Sequence, residues 1–374
     1  MSTKGKEGFP YYSDKDKQLY VPKASILSKN IFDTRSTFDS TKPNLLNITF
    51  GIQATDSGSG ATRCFNWISV GYYDEYIEYK LSSKSWDDAT KVYSIDNNNT
   101  YTNSKIETFK NIYSRIKWVT TNGTAVTTHK AIVWGLASGI YDVRVRRDGD
   151  ENYIGDTLHF TVRNDAAVSS GFTFVQTTDQ QAFNFYEYQA WTKAAYAIKK
   201  NHPNFQFTIN TGDMTQNGNR ESEWIDYYNG RQALAGTEDM VTIGNNDLCG
   251  ITPYELGDGT AATYKINHKN IQYYYCFELD ENNPPIFTYQ HNDKIDKTLL
   301  GDVLSYDETS FTYYMPSVYS FNYGVYHFIC LNSEFAANTY KCYYNDTALA
   351  NDIFKSHAYY NMYRWLVADC KTAT

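Results

Sequence analysis

Three short polar segments carry the residue types that could do chemistry, and each follows an apolar run typical of a strand. They span residues 178–181, 212–218 and 244–247 and read TDQQ, GDMTQNG and GNND. Polar loops at the carboxyl ends of strands form the ligand crevice of an α/β sheet. Carboxylate and amide oxygens are hard ligands, and one carboxylate can bridge two cations. We therefore expect a site for a pair of divalent or trivalent metal ions.

An ordinary structural role also explains each segment taken alone. Asp179 and the run 245–247 are residue types that form turns. The G-D-x-x-x-x-G pattern at 212–218 caps strand-to-helix turns in many α/β proteins. Only the order of all three segments along one chain favours a shared site.

The elements that must position these segments alternate over residues 166–374. FTFVQTTD, FQFTIN and DMVTIG are typical of strands, and ESEWIDYYNGRQAL is typical of a helix. In YEYQAWTKAAYAIKKN, Tyr188, Trp191 and Ala195 lie on one helical stripe. Further on, SVYSFNYGVYHFICLNSEF predicts two adjacent strands, with His327 in the core, and MYRWLVADC predicts a helix. This alternation predicts a layered α/β domain.

The preceding residues have a different pattern. Residues 45–165 contain about seven short alternating runs separated by turn clusters, which predicts an all-β sandwich. Residues 1–44 are polar and aromatic without a sustained period, so we expect an extended N-terminal arm. This arm would be held by the second domain or by a neighbouring subunit of a homo- or hetero-oligomer.

Residues 251–315 interrupt the α/β order. The run INHKNIQYYYCFELDENNPPIFTYQH predicts a hairpin that closes at residues 282–285. This hairpin insertion contains His268 and His291, so it could form a substrate rim over the metal site. A decorated surface loop is the favoured alternative.

Composition excludes several classes of function. The net charge is −8, and no Lys/Arg cluster is interleaved with aromatic residues, so we predict no nucleic-acid partner. No apolar run approaches 18 residues, so we predict no membrane span. The first 20 residues lack the apolar stretch of a secretory signal. The protein is then cytoplasmic, or a leader is absent from this numbering, or it reaches an extracellular or virion assembly by another route. None of the six cysteines forms a C-x-x-C pair, which argues against zinc–thiolate chemistry.

The polar segments, in this order, resemble the motifs D-x-H/Q, GDxxxxG and GNHD of the calcineurin-like metallophosphoesterase superfamily. VYSFNYGVYHFICLNSE is similar to a segment of its purple-acid-phosphatase-like branch. In the first domain, NWIS and LASGIYDVRVRRDG resemble strands of the fibronectin type III-like domain that precedes the catalytic domain of those enzymes. The resemblance covers most of the chain from about residue 45.

This resemblance implies a role for each matching residue. Asp179 and Gln181 would bind the first of two metal ions (iron, manganese or zinc), Asp213 would bridge both, and Asn245 would bind the second. The candidate catalytic residues follow directly, at 246 and 247. The implied reaction is metal-dependent hydrolysis of a phosphate mono- or diester, with a metal-activated water as the nucleophile.

Three departures from the family pattern bear on activity. Asn246 stands where the family has a histidine; an amide donates a hydrogen bond but cannot transfer a proton. Gln216 replaces the tyrosine ligand of purple acid phosphatases, so we expect no purple colour. The family's last histidine ligands would follow residue 374, so about a hundred residues are missing or the domain is degenerate. The alternative hypothesis is therefore an inactive phosphoesterase-like module with a structural or binding role, for example in a phage tail or at a cell surface. Asn246 and Asp247 remain the predicted catalytic pair under the first hypothesis.

Overall fold

Alternating apolar side chains between residues 44 and 162 build two antiparallel sheets that pack face to face. The first sheet has the order β3-β4-β8-β7, and the second has the order β10-β9-β5-β6, with β11 also paired to β9. The strands are β3 (Asn44–Phe50), β4 (Ala61–Val70), β5 (Glu75–Leu81), β6 (Thr90–Tyr93), β7 (Ile116–Val119), β8 (Ala125–Leu136), β9 (Gly139–Arg147), β10 (Asp150–Ile154) and β11 (Leu158–Val162). The predicted β-sandwich is therefore present.

A computed structural model is the source of this description. It describes residues 11–13, 18–20, 37–51, 54–96, 116–120, 123–218, 220–249, 286–290, 305–306, 310–314, 318–332 and 355–372. In the N-terminal arm, β1 (Tyr11–Ser13) pairs with β2 (Gln18–Tyr20). Partner binding through the arm stays a prediction.

The sandwich interior is filled by apolar side chains from both sheets. Phe65 and Phe160 meet edge to face with ring centroids 5.8 Å apart, and Tyr141 stacks on Phe160 at 5.3 Å. Such aromatic pairs contribute beyond the area that they bury. Trp67 is also fully buried, and its indole N–H donates to the Glu75 carboxylate at 2.8 Å.

A parallel sheet forms the centre of the α/β part. Its order is β12-β13-β14, with β12 at Val175–Thr177, β13 at Phe207–Asn210 and β14 at Glu238–Val241. The helices are α1 (Asp165–Ser169), α2 (Phe185–Asn201), α3 (Glu221–Gly230), α4 (Asn245–Cys249) and α5 (Lys355–Thr372), with short 3₁₀ turns at Trp86–Asp88 and Gln232–Leu234. The predicted alternation of strands and helices is confirmed, although α3 ends four residues before the predicted run does.

Helix α2 forms where the apolar stripe predicted it. Asn184 caps its first turn, because the side-chain oxygen accepts hydrogen bonds from the N–H groups of Tyr186 and Glu187. Tyr188 and Trp191 are buried against the neighbouring helix α3. Gly230 ends α3 at a point where an added Cβ would lie only 2.5 Å from the Trp191 ring, so the glycine allows the two helices to approach.

Two antiparallel groups follow the parallel sheet. β15 (Ile286–Gln290), β16 (Ser305–Tyr306) and β17 (Ser310–Tyr314) form a sheet of order β15-β17-β16, and β18 (Tyr319–Tyr323) pairs with β19 (Tyr326–Cys330). The predicted pair of adjacent strands is confirmed. The first arm and the turn of the predicted hairpin insertion, with His268 and His291, lie outside the described residues. None of the described helices is long and apolar enough to cross a membrane.

The expectation that His327 is a core residue is wrong. Its ring is partly exposed, and its two nitrogens lie 2.7 Å from Asn322 Oδ1 and 2.8 Å from Asp369 Oδ2. Ser320 Oγ donates to the other oxygen of Asp369 at 2.8 Å. The strand pattern placed this histidine correctly in β19, but its side chain ties the β18–β19 hairpin to helix α5.

A buried ion pair joins the sandwich to the parallel sheet. Arg63 on β4 donates to Glu238 on β14 at 2.6 Å, and the two side chains are only 1% and 4% exposed. Arg63 also donates to the carbonyl oxygens of Ala54 and Thr62, and it lies over the ring of Phe50. This arginine therefore fixes how the first residue of β14 sits against the sandwich.

We expect Arg63→Met to lower the free energy of unfolding by about 3–5 kcal/mol, because Glu238 would become a buried charge without a partner. Urea denaturation followed by tryptophan fluorescence measures the loss. The matched control is Lys42→Met, which removes a 3.6 Å ion pair to Asp156 between exposed side chains and should change stability little. Equal effects of the two substitutions would contradict the role given to Arg63.

Candidate metal and phosphate site

The first two predicted segments run side by side at the carboxyl edge of the parallel sheet. The backbone N–H of Asp179 donates to the carbonyl oxygen of Gly212 at 3.1 Å, and that of Gln181 donates to the carbonyl oxygen of Asp213 at 2.9 Å. Both hydrogen bonds lie just beyond the ends of β12 and β13. The loops after these strands are therefore joined by their main chains.

Asp179 and Asp213 share an unusual backbone conformation. Their φ angles are +56° and +54°, in the left-handed region that residues other than glycine seldom adopt. Such strain persists where the surroundings impose it and is concentrated at functional sites. The two aspartates predicted as ligands thus share this conformation in the loops that follow neighbouring strands.

Close approach of backbones brings the third segment against the second. An added Cβ on Gly212 would lie 2.5 Å from the nitrogen of Gly244, and one on Gly244 would lie 2.0 Å from Asp213 Oδ1. Neither position has room for a side chain. The glycines at the ends of these strands therefore allow the loops after β13 and β14 to touch.

Amide groups surround the Asp213 carboxylate. Its Oδ1 accepts the backbone N–H of Asn246 at 3.1 Å, and its Oδ2 accepts the side-chain amides of Asn246 at 2.9 Å and of Gln181 at 3.2 Å. The Gln181 Oε1 atom is buried and has no hydrogen-bond partner within the described part of the chain. An unsatisfied buried acceptor costs about 1–3 kcal/mol. A hydrogen-bond donor or a cation bound to this oxygen would therefore stabilise the folded protein.

The other two predicted ligands lie on the open side of the crevice. Asp179 is exposed, and its Oδ2 accepts the Thr178 hydroxyl at 2.6 Å. Asn245 is also exposed and begins helix α4, directly after Gly244. Across the described ranges, no three His, Cys, Asp or Glu side chains gather as a metal-binding group. The donor set present there consists of two carboxylates and two amides.

Asp247 faces away from the crevice and holds two of the loops together. It is fully buried; its Oδ1 accepts the backbone N–H groups of Met214 and Thr215, each at 2.9 Å, and its Oδ2 accepts that of Gly244 at 3.1 Å. Burial raises the pKa of Asp247 to about 7, against the lowering effect of these hydrogen bonds. The residue predicted to be catalytic therefore has the contacts of a positioning residue.

Asn246 links the same loops from the crevice side. Besides donating to Asp213, its side-chain oxygen accepts the Gln216 amide at 3.2 Å, and its carbonyl oxygen accepts the N–H of Gly218 at 3.0 Å. Asn246 is only partly buried, so its amide borders the space in front of Asp213.

Two supporting residues were missed by the sequence reasoning. Glu223 on α3 accepts the backbone N–H of Asn217 at 2.7 Å and the side-chain amide of the same residue at 2.8 Å, and burial raises its pKa to about 7. Asn210 ends β13, donates to Gln180 Oε1 and the Tyr227 hydroxyl, and accepts the N–H of Gly212. Asn210 at the end of β13 was an available signal, whereas Glu223, one of three acidic residues in α3, gave none.

The chain matches no protein-family model and no curated protein. Among solved structures, it is similar to the purple acid phosphatase PPD1 isolated from yellow lupin (Lupinus luteus) seeds, at 13% sequence identity and a TM-score of 0.42. The similarity covers 67% of this chain and 43% of the lupin chain. This chain therefore spans less than half of that protein.

We expect Glu223 to make stability depend on pH. Its carboxyl group titrates near 4.5 in the unfolded chain and near 7 in the folded protein. Its stabilising contribution is then complete below about pH 4.5 and is lost as the pH rises through 7. Glu223→Gln should remove this part of the pH dependence, on the order of 3 kcal/mol.

Urea denaturation at a series of pH values from 4.5 to 7.5 measures the difference between the wild type and the variant. Glu151→Gln, at an exposed glutamate on β10, is the matched control and should leave the pH dependence as it is in the wild type. Parallel curves for the wild type and Glu223→Gln would contradict the assignment.

Proposed function

We propose that the crevice at the carboxyl edge of the parallel sheet binds divalent or trivalent cations and hydrolyses phosphate mono- or diesters. The observation that carries the proposal is the Gln181 side chain: its Nε2 donates to the Asp213 carboxylate at 3.2 Å, and its buried Oε1 has no hydrogen-bond partner among the described residues. A cation at Asp213 would favour a rotated Gln181 amide that presents its oxygen instead of its nitrogen. The exchange would satisfy the buried oxygen and give the cation a second hard ligand.

The residues present fit such ions. Asp213 lies between the loops and can bridge, Asp179 and Gln181 lie on one side of it, and Asn245 follows the glycine that touches it from the other side. All four supply oxygen ligands of the kind that iron, manganese and zinc accept. When bound, two such cations would supply Lewis acidity and a nucleophile derived from water at neutral pH.

The chain's own groups would orient the ester. Asn246 has a second N–H on its amide nitrogen beyond the one given to Asp213, and the amide borders the same space. That N–H could donate to a phosphate oxygen and hold the ester in line. Asp247 and Glu223 keep the loop at 213–218 in place from below.

We expect Asp213→Asn to abolish cation binding and hydrolysis, because it removes the carboxylate that both predicted metal ions would share. Calorimetric titration with Mn²⁺ and hydrolysis of p-nitrophenyl phosphate with manganese, zinc or iron measure the two effects. The loss should exceed the roughly 10–100-fold caused by removing a supporting residue of a metal site. Asp156→Asn, at an exposed aspartate in the sandwich part, is the matched control. Full activity of Asp213→Asn would overturn the proposal.

We expect Asn246→His to raise the rate for an alkyl phosphate by about 10²–10⁴-fold, because a histidine can protonate the leaving alcohol and an amide cannot. The rate for p-nitrophenyl phosphate should change little, since p-nitrophenolate leaves without a proton. Asn246→Gln, which lacks a transferable proton, is the control. An equal gain for both esters would contradict this explanation.

One observation favours the alternative function, a phosphoesterase-like module with a structural or binding role. Within the described part of the chain, the hydrogen bonds to the Asp213 carboxylate all come from neutral amides, a bonding pattern that needs no cation. If titration detects no cation binding by the wild type and light scattering detects a stable oligomer, the alternative replaces the proposed enzyme.

A further inference from the structure

Two exposed phenylalanines stand where the chain leaves the candidate site, Phe183 in the loop and Phe185 at the first position of helix α2. Phe183 is 61% exposed and Phe185 is 41% exposed, and both follow Gln181 on the way into helix α2. A single exposed aromatic ring is ordinary on a protein surface. Here two of them follow within four residues of the predicted ligand Gln181, so apolar surface is exposed close to the candidate site along the chain.

The backbone that carries these rings is held in place. Gln181 is bonded to the main chain of Asp213, and the N–H of Phe183 donates to the Glu187 carboxylate at 2.8 Å. Asn184, between the two phenylalanines, caps α2. The rings are therefore presented on a fixed frame, which lowers the entropy cost of binding a ligand against them.

The backbone of Phe183 lies within reach of a group bound at Asp213. Two residues of chain span at most about 7 Å, so the Cα atom of Phe183 lies no farther than this from that of Gln181. The Gln181 side chain itself contacts the Asp213 carboxylate at 3.2 Å. An organic group joined through an ester oxygen to a phosphate at Asp213 can cover that distance.

The charged residues of this segment indicate which chemical group the substrate carries. Residues 179–187 read DQQAFNFYE and contain no lysine or arginine. The loop therefore offers no cation for a second phosphate or a carboxylate on the substrate. It offers flat apolar faces, which prefer offset-stacked or edge-to-face contact with another aromatic ring.

We infer that the substrate is a phosphate ester whose alcohol carries an aromatic ring, and that Phe183 is the specificity-determining residue that contacts this ring. Phe185 supplies a second apolar surface, at the first position of α2. The inference rests on the proposed phosphate-ester hydrolysis and names its substrate class.

The test compares benzyl phosphate with cyclohexylmethyl phosphate on the full chain with Mn²⁺. Both release a primary alcohol of similar size, so the comparison isolates the aromatic face. We expect kcat/KM to be about 2- to 10-fold higher for benzyl phosphate. This ratio corresponds to the free energy that an aromatic pair contributes beyond the area that it buries. Phe183→Leu should bring the ratio close to one, and Phe183→Tyr should retain it.

Tyr196→Leu is the matched control, because Tyr196 is 64% exposed on the same helix and lies 11 residues (about 16 Å) beyond Phe185. Calorimetric binding of benzylphosphonate and cyclohexylmethylphosphonate, which are not hydrolysed, gives a second readout with the same expected order. A wild-type ratio of one, or a ratio unchanged in Phe183→Leu, overturns the inference while hydrolysis itself continues. Failure to hydrolyse either ester or to bind either phosphonate overturns the proposed function and the inference with it.

Discussion

The geometry of the crevice depends on one buried carboxylate. Asp247 accepts the N–H groups of Met214, Thr215 and Gly244, so a single side chain fixes two loops that follow different strands. The contact is so close that a side chain at Gly218 would overlap the backbone of Asp247. A buried carboxylate satisfied only by neutral donors carries a large desolvation cost, which its raised pKa expresses. The protein bears this cost at the place where Asp247 holds together the loops that carry the predicted ligands Asp213 and Asn245.

The parallel sheet can support such loops because its two faces differ in chemistry. Phe207 and Met240 point to the sandwich, where the Phe50 ring packs against Phe207 and the Phe50 backbone N–H donates to Met240 Sδ. Thr208 and Asp239 point to the helices and form hydrogen bonds with each other and with neighbouring polar groups. The face toward the sandwich therefore supplies apolar burial beside the Arg63–Glu238 ion pair, and the other face supplies a polar network that reaches the carboxyl edge.

Much of this architecture could be predicted from the sequence. The helical stripe that includes Tyr188 and the alternating runs of the sandwich report local periodicity, which burial then reinforces. The three polar segments also lie together as expected, because parallel strands end at one edge. The contacts of His327 could not be predicted, since they depend on how α5 crosses the hairpin. The same applies to Asp247: its residue type suggests catalysis, and only its burial shows the positioning role.

The two aspartates around the crevice accept hydrogen bonds from neutral donors. Neither Asp213 nor Asp247 forms an ion pair with a lysine or arginine within the described part of the chain, and their donors are amides and a hydroxyl. The charge of Asp213 is itself one of the causes that raise the pKa of Asp247. A cation held by Asp213 and Gln181 would offset that repulsion and satisfy the buried amide oxygen at once. The same pair of residues therefore links the stability of the loops to the chemistry proposed for them.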